Sequence, residues 1–190
     1  MKSALWKAVV VVVGGVALFA AWVRYRGPQT GLITVPTLRG PAAIAVLPDG
    51  VQKISVASGG YGMVLPHDWR VEPTGGPDLA AYPPASYCKI EVSVFENQGG
   101  TPLGDWIARH LAEDPTLRIM PLSFAPRAFN GISGFQWIGD IDDRRTVLIY
   151  LDGRKRVYEI APSTLDAAAT SSDSCFGVVE AVAQQFMVDR

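Results

Sequence analysis

Two cysteines and two histidines are all that 190 residues contain, and that scarcity removes several kinds of chemistry at the outset. A structural zinc site needs four nitrogen, sulfur or oxygen ligands. His110 and Glu113 do share a helical face at a spacing that carboxylate–histidine metal sites use, yet no second cluster completes the set. Asp140, Asp142 and Asp143 crowd one turn, but a calcium loop needs a longer ligand series ending in a bidentate Glu. Arg144 and Arg145 neutralise that turn, so a solvated hairpin is the expectation. Gly131-Ile132-Ser133-Gly134 comes near a nucleophile elbow, but Phe135 stands where the last glycine is required. The Gly-Gly pairs form no dinucleotide or phosphate-loop pattern. The sequence therefore predicts no catalytic residue, no metal and no cofactor.

Basic charge is scarce as well once the first 27 residues are set aside. That stretch holds Lys2, Lys7, Arg24 and Arg26 and no acid; without them 13 Lys and Arg face 18 Asp and Glu, a formal charge of −5 for the remainder. Nucleic acids and anionic lipid surfaces both call for clustered basic residues, so neither is an expected partner of that part.

What is abundant is concentrated at the front. Ala8 to Val23 is an unbroken apolar run of sixteen residues. As a helix it would extend roughly 24 Å, and Leu5 with the stem of Lys7 lengthens it toward the roughly 30 Å hydrocarbon core of a bilayer. Trp6 on one side and Trp22 with Tyr25 on the other are placed as interfacial rings. A cleaved signal peptide is the alternative. Its small-residue requirement fails at Ala17/Phe19, Leu18/Ala20 and Phe19/Ala21, each of which sets a bulky side chain at one of the two positions. The reading is a signal-anchor over 1–26, a Pro- and Gly-interrupted linker over 27–41, and an extracytoplasmic α/β domain over 42–190. An even cysteine pair behind an export segment predicts a Cys88–Cys175 disulfide, with two buried free thiols as the other possibility.

Periodicity orders the domain. Ala42–Leu47 and Val51–Val56 flank Pro48-Asp49-Gly50 as a hairpin, and Tyr61–Leu65 is a strand followed by a Pro66 turn and a second short strand. Pro73–Pro84, with four prolines and two glycines, reads as irregular. Cys88–Phe95 alternates with Cys88, Ile90, Val92 and Val94 on one face. Thr101-Pro102 opens an amphipathic helix carrying Leu103, Trp106, Ile107 and Leu111. Three strands follow, at Ser133–Ile141, Thr146–Leu151 and Arg154–Ala161, the last two joined by an Asp152-Gly153 type I′ turn. A final helix from about Ser174 has Cys175, Val178, Val179, Val182 and Phe186 in one stripe. Trp69, Trp106 and Trp137 are expected in the core.

The order of these pieces carries a resemblance. An aromatic-Gly strand, the turn Pro66-His67-Asp68-Trp69, a strand ending Val94-Phe95-Glu96-Asn97 and a helix beginning Pro102-Leu103 come first. Gly131-Ile132-Ser133-Gly134-Phe135, the Asp-Gly hairpin into Val157-Tyr158-Glu159-Ile160 and a closing helix follow. Residues 52–190 so resemble the PsbP-like group, to which photosystem extrinsic subunits, the bacterial lipoprotein DcrB and exported bacterial proteins are similar. The resemblance implies an α+β fold, an antiparallel sheet flanked by helices in an α/β/α sandwich, here behind one N-terminal transmembrane helix. It also implies a binding or assembly module in place of an enzyme. Cys88 and Cys175 are not part of the group's general pattern, and no lipobox cysteine follows the apolar run.

The functional expectation is a single-pass protein of a bacterial inner membrane, held by its N-terminal helix in the bilayer. Its periplasmic domain binds an envelope protein or component, as an accessory or immunity-type factor. The rival is a hydrolase using His67 or His110 with nearby carboxylates; a carrier of small ligands is the third reading and predicts a sizeable apolar pocket.

Overall fold

The computed structural model describes residues 37–39, 42–84, 86, 88–113, 123–141, 144–164 and 173–189. The first sheet takes β1 (Thr37–Arg39), β2 (Ala42–Val46), β3 (Val51–Val56), β4 (Tyr61–Pro66) and, from the far end of the sequence, β12 (Phe186–Val188), in the order β1-β2-β3-β4-β12. Alternation sets its faces: Gln52, Ile54 and Val56 are buried while Lys53 and Ser55 are exposed. The chain leaves this sheet through the Pro66–Trp69 turn. There the buried Gln52 amide donates to the carbonyls of Pro66 (3.0 Å) and Trp69 (2.7 Å) and fixes the crossing point.

The second sheet has seven strands: β5 (Arg70–Gly75), β6 (Asp78–Tyr82), β7 (Cys88–Glu96), β8 (Ser123–Phe129), β9 (Ile132–Ile141), β10 (Arg144–Asp152) and β11 (Arg156–Thr164). Their order is β5-β6-β7-β11-β10-β9-β8, and each pairing in both sheets is antiparallel. Successive side chains of β10 separate two cores. Val147, Ile149 and Leu151 join the larger one with the first sheet and α2 (Asp173–Gln184), whereas Leu148 and Tyr150 meet Leu103 and Ile107 of α1 (Leu103–Glu113) on the opposite face. Helices thus flank the antiparallel sheet on both faces, as the α+β reading requires.

The Cys88–Cys175 disulfide is formed. It joins the first residue of β7 to the first turn of α2 with Cα atoms 5.7 Å apart, and both cysteines are buried. Strand alternation and helical periodicity each point a sulfur into the same core, which is why the pair meets.

Several expectations are corrected. Pro73–Pro84 is no irregular excursion: β5 and β6 form a hairpin, with Gly75 (φ 129°) and Gly76 (φ 55°) supplying the left-handed turn and a register shift between Pro73 and Gly75. β5 is an edge strand, where proline's missing N–H is tolerated. β8 was not expected, because Ser-Phe-Ala-Pro-Arg-Ala-Phe is mostly exposed and does not alternate. Thr37–Arg39, inside the stretch assigned to the linker on its prolines and glycines, pairs with β2. Phe186 belongs not to the helical stripe but to β12, beyond a turn at Gln185. The remaining linker residues 27–36, 40 and 41, the anchor with Trp6, Trp22 and Tyr25, and Asp142 and Asp143 lie outside the described residues. Among the described residues no helix is long and apolar enough to cross a membrane.

The Asp152-Gly153 turn also differs. Positive φ falls on Arg154 (69°) and not on Gly153, and Lys155 N donates to Gly153 O (2.9 Å) across a three-residue γ-turn. Gly153 is required for another reason, since a Cβ there would sit 2.4 Å from the Tyr158 ring. Arg154 therefore carries the strain that a glycine would not. Arg154→Gly is expected to stabilise the domain by about 0.5–1 kcal/mol in urea unfolding, the relief of positive φ exceeding the added unfolded-state entropy.

The two sheets are tied by an aromatic cluster. Tyr61 stacks on Phe186 (centroids 5.0 Å apart) and meets Tyr158 edge-on (5.5 Å). Tyr61 donates its hydroxyl hydrogen to Pro77 O, and Tyr158 Oη lies within hydrogen-bond distance of Gly59 O and Gly60 O. Burial, with Asp78 and the neighbouring Tyr158, pushes the Tyr61 phenol well above the usual tyrosine range, and burial raises Tyr158 too. A native pKa raised above the unfolded value gives stability that is complete below about pH 10 and is lost as pH climbs through the native value. Urea midpoints should hold steady up to about pH 9 and then fall. Tyr61→Phe should weaken that alkaline fall.

Candidate functional site: a polar cleft at the end of β7

Strand β7 ends at Glu96, and the chain turns through 97–101 into α1. Asn97 organises the turn from a buried position. Its Nδ2 donates to Thr101 O (2.9 Å), its Oδ1 accepts from Thr101 N (3.1 Å), and its own N–H donates to Lys155 O (2.7 Å) in the β10–β11 turn. Gly100, at φ 61°, closes the loop by donating to Asn97 O. The loop is thus held by backbone bonds on two sides, leaving Gln98 exposed at its tip.

A cleft of about 270 Å³ opens between this loop and α1, lined among others by Glu96, Gln98, Trp106, Arg109, His110 and Glu113. A neighbouring cleft of about 550 Å³ shares Glu96 and Gln98 and continues past Lys155, Arg156 and Asp189. The walls are braced: Arg109 donates to Thr101 Oγ1 (2.8 Å), and Arg156 Nε donates to Glu96 Oε1 (3.2 Å). Trp106 stacks on His110 with centroids 4.8 Å apart and lies 5.3 Å from the Phe95 ring.

His110 is the histidine this arrangement uses. Its Nε2 stands 3.5 Å from Glu159 Oε2, both side chains are mostly buried, and the rings of Phe95 and Trp106 pack against the imidazole. Glu113 lines the same cleft, as its helical spacing predicts, but it is Glu159 of β11 that the structure sets against the imidazole. Glu159 was missed in the sequence, although strand alternation sets it with Val157 on the α1 face, away from the inward Tyr158 and Ile160. His67 lies elsewhere, exposed, with Nδ1 3.0 Å from Gly50 O. Ser133 is exposed in the β8–β9 hairpin opposite Ala128, not in a strand-to-helix elbow. Trp137 is buried as expected, whereas Trp69 and Trp106 are partly exposed. No group of three or more His, Cys, Asp or Glu able to hold a metal occurs among the described residues.

No family model matches the chain, and no curated protein sequence does. Solved structures do. Cyanobacterial PsbP (CyanoP) from Synechocystis sp. PCC 6803 is matched over 85% of this chain and 98% of that one, at 16% identity and a TM-score of 0.53. The fold is PsbP-like. A crystal structure from Bacteroides thetaiotaomicron VPI-5482 matches 69% of this chain at 13% identity and a TM-score of 0.46, and this chain spans 46% of its length. The immunity protein TplEi of the T6SS from Pseudomonas aeruginosa matches at 8% identity over 94% of this chain and 84% of that one, with a TM-score of 0.35. The cleft of the PsbP-like domain described above is formed by this chain's own loop 97–101 and by α1.

Proposed function

We propose that the protein is a non-catalytic, membrane-anchored binding module of the bacterial envelope. Ala8–Val23 would hold it in the inner membrane as a single-pass helix flanked by Trp6, Trp22 and Tyr25, with the PsbP-like domain in the periplasm contacting an envelope component. The observation that carries this reading is the buried Cys88–Cys175 disulfide, a bond that oxidising compartments permit, standing behind an apolar N-terminal run. The accessory or immunity-type role is the finer part of the proposal, with the polar cleft at the end of β7 as its surface for contact.

Fractionation of cells expressing the full chain with a C-terminal tag tests it. The protein should pellet with membranes and be released by detergent. The tag should become protease-accessible in spheroplasts, and both thiols should resist alkylation until reduced. Recovery in the soluble cytosolic fraction with two reactive thiols would refute the reading.

A His/carboxylate-dependent hydrolase is favoured by one observation, the His110–Glu159 pair beside an open cleft. Glu159→Gln, which keeps the side chain's size and lies outside the cleft lining, separates the two: a hydrolase loses its cellular phenotype, while a binding module retains it. The carrier reading asks for an apolar pocket, whereas this cleft is lined chiefly by charged and amide side chains.

A further inference from the structure

Among the described residues four strands stand at the edge of a sheet, and they are not alike. β1 and β12, on either side of the first sheet, are three residues each. β5, at one edge of the second sheet, is broken by a register shift between Pro73 and Gly75. β8, at the other edge, has seven residues in unbroken register with β9, from Ser123 to Phe129. An edge of that length is a template for another strand unless a charge, a bulge or a proline blunts it.

Charge does not blunt β8. Its one charged side chain, Arg127, is drawn to the α2 side, donating to Glu180 Oε1 (2.6 Å) and to Gln136 Oε1 (2.7 Å). On the opposite face Phe124 is exposed and stacks on Phe135 with centroids 4.8 Å apart, an apolar surface that would favour association. The backbone settles the matter. Asn130 and Gly131, at φ 48° and 77°, are the central residues of a two-residue hairpin turn, so the flanking Phe129 and Ile132 exchange both of their backbone hydrogen bonds. Bonded pairs alternate along an antiparallel ladder, so Arg127, Ala125 and Ser123 also bond to β9. The backbone groups of Phe124, Pro126 and Ala128 therefore point away from the sheet. Pro126 is the middle member of that outward set, is exposed, and has no N–H. A strand laid along β8 would find donors at Phe124 and Ala128, but its carbonyl opposite Pro126 would be buried without a partner.

We propose that Pro126 is a guard residue that closes the β8 edge to strand addition by a second copy of this chain. Antiparallel pairing of two copies about residue 126 sets Phe124 opposite Ala128 of the second copy and proline opposite proline, which deletes both central hydrogen bonds. For a chain held in a membrane, as proposed above, confinement raises the effective concentration of copies, and an unguarded edge would be filled. Contacts of the domain are thereby left to side-chain surfaces.

Hydrogen exchange and sedimentation velocity on the full-length chain in detergent micelles test this. In the unaltered protein the Phe124 and Ala128 amides should exchange rapidly at every concentration, and the Arg127 amide slowly. Pro126→Thr supplies the missing donor; it should tighten dimer formation at least about tenfold and slow exchange at Phe124 and Ala128 as concentration rises. Pro126→Ala, which adds the donor with less bulk, should act in the same direction. Combining Pro126→Thr with Ala128→Pro returns a gap to the outward set and should reverse both effects. Slow exchange at Phe124 and Ala128 in the unaltered protein would overturn the proposal, because the edge would then be already paired or covered. Failure of both single variants to associate would overturn it too, as would association that Ala128→Pro leaves intact.

Discussion

Replacing Cys88 and Cys175 together by alanine should cost the domain about 4–5 kcal/mol, because the bond closes a loop of 87 residues in the unfolded chain. Such a loss approaches the whole stability of an ordinary domain. Both cysteines are buried in the larger core, against the same cluster that includes Ile90, Val92 and Val179, so the substitution also removes packed sulfur from a site with no solvent to replace it. Denaturant unfolding of the oxidised protein, the reduced protein and the double variant provides the measurement. The reduced protein should unfold at a midpoint well below that of the oxidised protein, and the variant, which also loses the buried sulfurs, at one lower still. Equal midpoints for all three would mean that the core alone holds α2 against β7.

The second large effect is at Phe186. Its ring is fully buried, stacked on Tyr61 and tilted against Tyr158 at 5.1 Å, and its backbone pairs with Met63 at the edge of the first sheet. Asn130 adds a hold from the second sheet, its Nδ2 donating to Phe186 O (2.9 Å). Phe186→Ala should therefore cost about 3–5 kcal/mol, the range for emptying a packed aromatic site. Phe186→Leu should restore more than half of that by refilling most of the volume. A loss under about 1 kcal/mol for the alanine variant would show that the cluster collapses around the gap and that the tyrosines alone join the sheets.

Legibility in the sequence follows from where a residue's partners lie. β3 and β7 could be read because each buries one face against a single core, which leaves period-two alternation such as Cys88, Ile90 and Val92 in the sequence. α1 was equally plain, since Leu103 and Ile107 fall one turn apart. The β5–β6 hairpin was hidden by its own turn chemistry: Pro73 and Gly75-Gly76 punctuate a loop and an edge hairpin alike. β8 gave no pattern because an exposed edge needs no apolar face, and β12 because three residues are too few for one. In the cleft, His110 and Glu113 were visible as a helical pair. Glu159 comes from a strand 49 positions beyond His110, and no local spacing encodes that meeting. Gln98 and Asn97 were unremarkable as sequence; only the hydrogen bonds from Asn97 to Thr101 and Lys155 give the loop a shape.

The pairing of β12 with β4 bears on how the polypeptide reaches its native state. Among the described elements, the strand that completes the first sheet is the last to leave a ribosome or a translocation pore. Until it arrives, Tyr61, Met63 and Tyr158 face a gap where Phe186 belongs, so the first sheet cannot close its core before β12 has been delivered.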